Sequence, residues 1–310
     1  MADGRIDTHT HLIAPRYLEA ITAPEGPPPA LPPATVAGLE AMMLEYGIGA
    51  AVVSIGPPGA AAPDQDRINQ VARIANEELA EIVWGAPDRL AGLATLPLPD
   101  PDAALAEIAY ALDELGLDGV GLFSNVDGVY LGDPRWEPVL AELDRRGAYV
   151  FLHPGVPPGP RPLIRDHPVW LYEYPFDTTR ALANLIYTGA LDRHRNLRLQ
   201  VAHLGGAAVF LAHRIASLAD REPKRTGAAP DGAIAYMKRL YYDTGLSNHL
   251  LPLAATRDLV GLGPIVFGTD WPYAALPGGA DPSPEFSALS EAERTAVDRT
   301  NALLLVPKWA

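Results

Sequence analysis

The chain has 310 residues, 48% hydrophobic and 20% charged, with no cysteine and a formal net charge of -14 at pH 7. The missing cysteine excludes disulfides, thiolate metal sites and a cysteine nucleophile, and the acidic balance speaks against binding nucleic acid, which needs Lys and Arg clusters. No apolar run reaches the ~18 residues of a membrane span, and Met-Ala-Asp-Gly-Arg does not read as a secretory signal, so a cytoplasmic protein is expected.

The first expected strand begins at Arg5-Ile6-Asp7 and carries Thr8-His9-Thr10-His11. Side chains alternate along a strand, so His9 and His11 point the same way, as two imidazoles sharing one metal must. By itself such a pair also arises by chance on a strand face. Residues 12–34 are rich in proline, with Pro27-Pro28-Pro29 and Pro32-Pro33, which predicts a loop insertion without regular helix or central strand. Thr35 is placed to cap a helix carrying Val36, Leu39, Met42, Met43 and Tyr46, ended by Gly47.

The continuous apolar run Ala50 to Ile55 then suits a strand buried on both faces. The alternation repeats. A helix from about Asp66 to Trp84 precedes a strand from Leu90 to Leu96, and a helix from Asp102 to Leu115 precedes Gly119 to Phe123. A helix from Pro134 to Arg146 precedes Ala148 to His153, and after a Pro-rich loop from Pro154 to Pro168 a helix from about Asp177 to Arg193 precedes Leu197 to His203. A helix from Ala207 to Leu218 and a looser segment to Met237 lead to Leu240 to Asp243, and a helix around Leu250 to Leu259 leads to Ile265 to Asp270.

Eight such strands with intervening helices, and no second zone of composition, predict one α/β domain over 1–310, a (β/α)8 barrel, which takes about 250 residues. An open doubly wound sheet is the alternative. In a barrel the C-terminal strand ends converge on the face where catalytic residues gather. His9 and His11 close strand one, His153 strand five, His203 strand six and Asp270 strand eight. Singly, His153 and His203 read equally well as turn residues, and Asp270 as a turn residue before Pro272. Together they make a candidate metal site at one face. His167, His194, His213 and His249 read as structural; the alternative for His167, whose loop follows strand five, is to line the mouth with Arg161 and Arg165.

Ile6-Asp7-x-His9-x-His11, Leu152-His153-Pro154, Ala202-His203-x-Gly205-Gly206 and Gly268-Thr269-Asp270-x-Pro272 resemble the amidohydrolase superfamily in its aminocarboxymuconate semialdehyde decarboxylase branch. The resemblance runs from residue 5 to about 305, and Tyr130-Leu131-Gly132-Asp133-Pro134 and Phe176-Asp177-Thr178-Thr179-Arg180-Ala181 look most like its methylsalicylate decarboxylase subgroup. It implies one divalent metal held by His9, His11, His153 and Asp270, with His203 beside the water or substrate. Lysine occurs only at Lys224, Lys238 and Lys308, so the carbamylated lysine with which binuclear amidohydrolases bridge two metals has no counterpart on the fourth strand. A single metal follows, zinc preferred and manganese the alternative.

The activity implied is metal-dependent, non-oxidative decarboxylation of a small carboxylic acid, aromatic and ortho-hydroxylated or enoic, with His203 or Asp270 returning a proton to carbon. The alternatives are metal-dependent hydrolysis of a lactone, amide or related ester with His203 as base, and a non-enzymatic metal-stabilised scaffold. Asp7 is a candidate acceptor that orients a ligand histidine, or else a strand-end cap. Phe123, Trp170, Phe176, Trp271 and Tyr273 lie near strand ends, where rings sandwich a planar acid or simply pack. Arg214 lies eleven residues after His203, the spacing at which decarboxylases of this branch resemble one another in an arginine that reaches a neighbouring subunit's site. A homodimer sharing Arg214 is therefore expected, a surface arginine being the alternative.

Overall fold

In the computed structural model, residues 4–22, 29–158, 167–279 and 281–310 are described. Arg161 and Arg165 lie outside them, as do Pro27 and Pro28 of the proline run and most of the loop after strand five. Among the described residues eight parallel strands pair in chain order: β1 (Arg5–His11), β2 (Ile48–Ser54), β3 (Leu90–Thr95), β4 (Gly119–Phe123), β5 (Tyr149–His153), β6 (Arg198–Val201), β7 (Tyr241–Asp243) and β8 (Ile265–Val266). The ring closes beyond β8. The Thr8 N–H donates to the Phe267 carbonyl at 2.9 Å, the Asp270 N–H to the His9 carbonyl at 2.8 Å and the His11 N–H to the Trp271 carbonyl at 2.8 Å. This is the expected (β/α)8 barrel.

Strand alternation partitions the core. Ala50 and Val52, Ala91 and Leu93, and Tyr149 and Phe151 pack with one another and with the C-terminal residues Ala302, Leu305, Val306 and Trp309. Their neighbours Ala51 and Val53, Leu90 and Ala94, and Val150 and Leu152 pack among the residues of the surrounding helices. His153 shares the parity of Tyr149 and Phe151, so the strand that fills the barrel with two rings ends by presenting an imidazole at its mouth. Asp243 likewise shares the parity of Tyr241, which packs on the interior cluster.

Several boundaries differ from expectation. The proline-rich stretch holds a helix, Pro15–Ile21, because Pro15 occupies its first turn, where a missing N–H costs nothing. Glu78 caps it, its carboxylate accepting from the Arg16 N–H at 3.0 Å and the Tyr17 N–H at 2.8 Å. The helix expected from Asp177 starts earlier, at Glu173, and runs to Tyr187; the one expected over Ala207 to Leu218 is reduced to Ala212–Ala216 and Leu218–Arg221. After β4 the chain folds a small hairpin, Asn125–Val126 against Val129–Tyr130, turning at Asp127 and Gly128, both with positive φ. Thr35 caps its helix as the sequence implies, accepting from the Gly38 N–H at 3.1 Å.

Candidate metal centre

Four side chains converge at the barrel mouth. His9 and His11 come from β1, His153 from the end of β5, and Asp270 from the turn beyond β8; each is buried and offers one ligand atom, all within 4.8 Å of one another. His9 Nε2 and His11 Nε2 lie 3.1 Å apart, and Asp270 Oδ1 is 3.2 Å from each. The rings of His9, His11 and His153 stand nearly perpendicular, with pairwise interplanar angles of 88°, 88° and 90°. Each imidazole is held by its other nitrogen: His9 Nδ1 by Asp243 Oδ1 at 2.9 Å, His11 Nδ1 by Ser54 Oγ at 3.0 Å, and His153 Nδ1 by the Pro154 carbonyl at 2.8 Å.

Because Asp243 and the Pro154 carbonyl can only accept, the Nδ1 atoms of His9 and His153 are the donors, and their Nε2 lone pairs face inward. Lone pairs and a carboxylate oxygen crowded at about 3 Å repel unless a cation lies among them. Asp270 Oδ1 is moreover buried without a hydrogen-bond partner among the described residues. This donor set fits a divalent metal that accepts imidazole and carboxylate.

The protonation balance reflects the same crowding. Burial lowers His9, but the charges of Asp243 and Asp270 together outweigh it and raise His9 to about 10, so without a metal a proton is the cation held there. Burial lowers His11, and burial with the neighbouring imidazoles His11 and His9 lowers His153 well below its ordinary value. Burial would raise Asp270, yet the charge on His9 and the close approach of the His11, His203 and His9 imidazoles hold it well below the usual carboxylate range. Two neutral imidazoles and an ionised carboxylate are thus already in the form that binds a metal.

His203 stands beside this group. Its Nε2 lies 3.1 Å from Asp270 Oδ2, and its Nδ1 is buried with no hydrogen-bond partner among the described residues. The sequence places His203 inside strand six, but β6 ends at Val201; His203 enters a tight turn through His203–Gly205 with φ of 57°. Gly206 completes that turn at positive φ, where an added Cβ would lie 2.2 Å from the Pro175 carbonyl oxygen.

The carboxylate that holds the His9 imidazole is that of Asp243, a residue the sequence reading passed over. Asp7 takes a different part: it accepts from the His9 backbone N–H at 3.0 Å, from the Thr269 N–H at 3.0 Å and from the Thr269 hydroxyl at 2.6 Å, tying β1 to the Asp270 turn. Burial, against those hydrogen bonds, raises Asp7 to about 7. Asp243 Oδ1 also accepts from the backbone N–H of His203 at 3.2 Å and of Gly245 at 3.0 Å, while Gln200 donates to its Oδ2 at 2.8 Å. One carboxylate therefore positions both His9 and His203. The available signal was its place at the end of β7, on the same face as the other strand-end residues.

Above this floor lies a cavity of about 460 Å³, walled by Pro57, Trp170, Leu171, Tyr174, Leu246 and Tyr273, among others, with His153, His203 and Asp270 lining it. Of the expected aromatic residues Trp170 and Tyr273 line it. Phe123 faces His153 edge-on at 6.0 Å and lines a second cavity of about 640 Å³ that shares Pro57 with the first. Phe176 and Trp271 line neither. Phe176 is 44% exposed and packs edge-on with Tyr172, since the helix that turns Tyr174 inward turns it away. Trp271 follows Asp270, whose φ of 61° breaks the strand alternation, and its ring abuts Gly38. Arg214 is exposed on Ala212–Ala216 and lines neither cavity.

Residues 6–307 match the amidohydrolase family. The 6-methylsalicylic acid decarboxylase acuB of Aspergillus aculeatus is 32% identical, over 98% of this chain and 96% of that protein. The gamma-resorcylate decarboxylase of Rhodococcus jostii is 30% identical, over 85% of each. The solved structure of 2,6-dihydroxybenzoate decarboxylase from Rhizobium aligns with a TM-score of 0.85 and 25% identity, covering 99% of both chains.

Proposed function

This chain belongs to the amidohydrolase family, in its aminocarboxymuconate semialdehyde decarboxylase branch, and from that membership we propose that it is a metal-dependent carboxy-lyase that releases carbon dioxide from a small aromatic acid with an ortho hydroxyl. The observation that carries this is the convergence of three imidazoles and one carboxylate at the floor of an aromatic-walled cavity, with His203 3.1 Å from Asp270.

On this reading His9, His11, His153 and Asp270 hold one divalent metal, zinc preferred on the nitrogen-rich donor set and manganese the alternative. When bound, the metal supplies the positive charge that holds the carboxylate and ortho oxygen and offsets negative charge as carbon dioxide departs. The bonding pair stays on the ring carbon, which then gains a proton, so the step is non-oxidative. His203 and Asp270 hold and deliver that proton between Nε2 and Oδ2, while Trp170, Tyr174 and Tyr273 stack on the ring and exclude water. Phe123 closes the side of the site next to His153.

Among the described residues lining the cavity there is neither Lys nor Arg, and a chain of net charge -14 repels an anion at long range. We therefore assign Arg214 to the neighbouring subunit's site in a homodimer. No described helix is long and apolar enough to cross a membrane; the absence of cysteine supports a place in the reducing cytoplasm, and we take the 310 residues as one catalytic domain.

The test is product analysis: zinc-loaded protein is offered a panel of ortho-hydroxybenzoates and small lactones. Carbon dioxide and the matching phenol are expected. Lactone opening without any carbon dioxide release would show a hydrolase instead.

A further inference from the structure

His153 differs from His9 and His11 in what holds its outer nitrogen. Its Nδ1 donates to the carbonyl of the next residue, Pro154, at 2.8 Å. That carbonyl belongs to the peptide group shared with Gly155, whose N–H donates to Ser124 Oγ at 2.7 Å. The Ser124 hydroxyl donates in turn to Asp177 Oδ2, and the Ser124 backbone N–H donates to the His153 carbonyl at 2.8 Å. His153, Pro154, Gly155, Ser124 and Asp177 are all buried. Asp177, fully buried on the helix Glu173–Tyr187, also accepts from Asn125 Nδ2 at 2.8 Å on Oδ2 and from the Tyr130 hydroxyl at 2.5 Å on Oδ1. The segments Tyr130–Pro134 and Phe176–Ala181, prominent in the sequence but absent from the metal centre, thus meet at this carboxylate.

We propose that Asp177 and Ser124 are positioning residues for His153, acting through the Pro154–Gly155 peptide to fix its tautomer and ring orientation and so set the affinity of the metal centre. The proposal rests on reading His153 as a metal ligand. The physical basis is a chain of hydrogen bonds in which the peptide group and the Ser124 hydroxyl each accept one bond and donate the next, ending on a carboxylate that only accepts. A peptide whose N–H is engaged has a more polarised carbonyl, and a carboxylate at the far end of the chain reinforces every link. The carbonyl accepts from Nδ1–H, which leaves the Nε2 lone pair for the metal and makes it more basic, as outer partners of metal-bound histidines do. Ser124 is the pivot. Its hydroxyl has one proton, given to Asp177, and its lone pair receives the Gly155 N–H, so removing the hydroxyl uncouples carboxylate from peptide and leaves a buried N–H without partner.

The experiment compares wild-type protein with Ser124→Ala, Asp177→Asn and Tyr130→Phe, each loaded with zinc(II), by competition for the metal with a chromophoric chelator. Circular dichroism and thermal melting report the fold. Ser124→Ala should weaken zinc binding by about 10–100-fold, and Asp177→Asn should do so in the same direction by less, as expected for partners of a metal-bound histidine. Tyr130→Phe removes a bond to the other oxygen of the same carboxylate, off the chain to His153, so it should lower the melting temperature while changing zinc affinity by no more than about twofold. A Ser124→Ala or Asp177→Asn protein that holds zinc as tightly as wild type overturns the proposal. So does a Tyr130→Phe protein that loses as much affinity as Ser124→Ala, because general loosening would then suffice. Wild-type protein that binds no zinc overturns the metal-site reading itself, and this proposal with it.

Discussion

His153 and His203 stand near each other at the barrel mouth with ring centroids 5.7 Å apart, yet their surroundings differ. His153 belongs to the four residues whose ligand atoms cluster, whereas His203 is held against Asp270 Oδ2. His203→Ala should therefore keep its metal and lose about 10²–10⁴-fold in turnover, the usual contribution of a positioned acid or base. His153→Ala should lose metal and turnover together. Elemental analysis after gel filtration, set beside the carbon dioxide release rate, separates the two, and a metal-free His203→Ala protein would contradict the division. Gly245 offers a second probe, because an added Cβ there would lie 2.7 Å from His9 Nδ1. Gly245→Ala should push the ring away from Asp243 and reduce metal retention in a folded protein; wild-type retention would show that the ring adapts. The four residues that cluster were legible as a candidate site because histidine and aspartate at successive strand ends are chemically conspicuous. Asp243 was not, since an aspartate closing a short strand looks like any turn residue until its oxygens are seen facing His9, His203 and Gln200.

Strands were the elements easiest to anticipate, because a barrel strand is buried on both faces and so appears as an unbroken apolar run, as Ala50 to Ile55 does. What escaped was set by contacts distant in sequence. The helix Pro15–Ile21 forms inside a proline-rich stretch because Glu78, more than sixty residues away, receives its first free N–H groups. Glu78→Ala should leave those donors unmet and lower stability by about 1–3 kcal/mol, visible as a reduced melting temperature with metal content intact. An unchanged melting temperature would mean that water replaces the cap. The hairpin after β4 has strands of two residues each, too short for any periodicity to register, although Asp127-Gly128 is a turn signal that could have been read. His203 lies past the end of β6 because the glycines after it permit a turn that breaks strand alternation; the run of apolar residues before it gave no sign of the break.

At the scale of the whole molecule, charge decides what the barrel still lacks. The chain has a net charge of -14, and among the described cavity residues there is neither Lys nor Arg to offset the long-range repulsion of a carboxylate substrate. If Arg214 of a second subunit offsets it, Arg214→Ala should raise the Michaelis constant at intact metal content, by about 2 kcal/mol of binding or more where the lost pair is buried. A hybrid dimer of Arg214→Ala and His9→Ala chains should recover activity in the one site that unites a sound metal centre with a sound arginine. Inactive hybrids, or a fully active monomer, would return Arg214 to the surface. The central claim, decarboxylation at a centre of one metal, is tested most directly by titrating zinc into metal-stripped protein while following carbon dioxide release from an ortho-hydroxybenzoate. The rate should rise from nothing and level off at one zinc per chain. Turnover by the stripped protein, or a rate that levels off only at two zinc ions per chain, would contradict it.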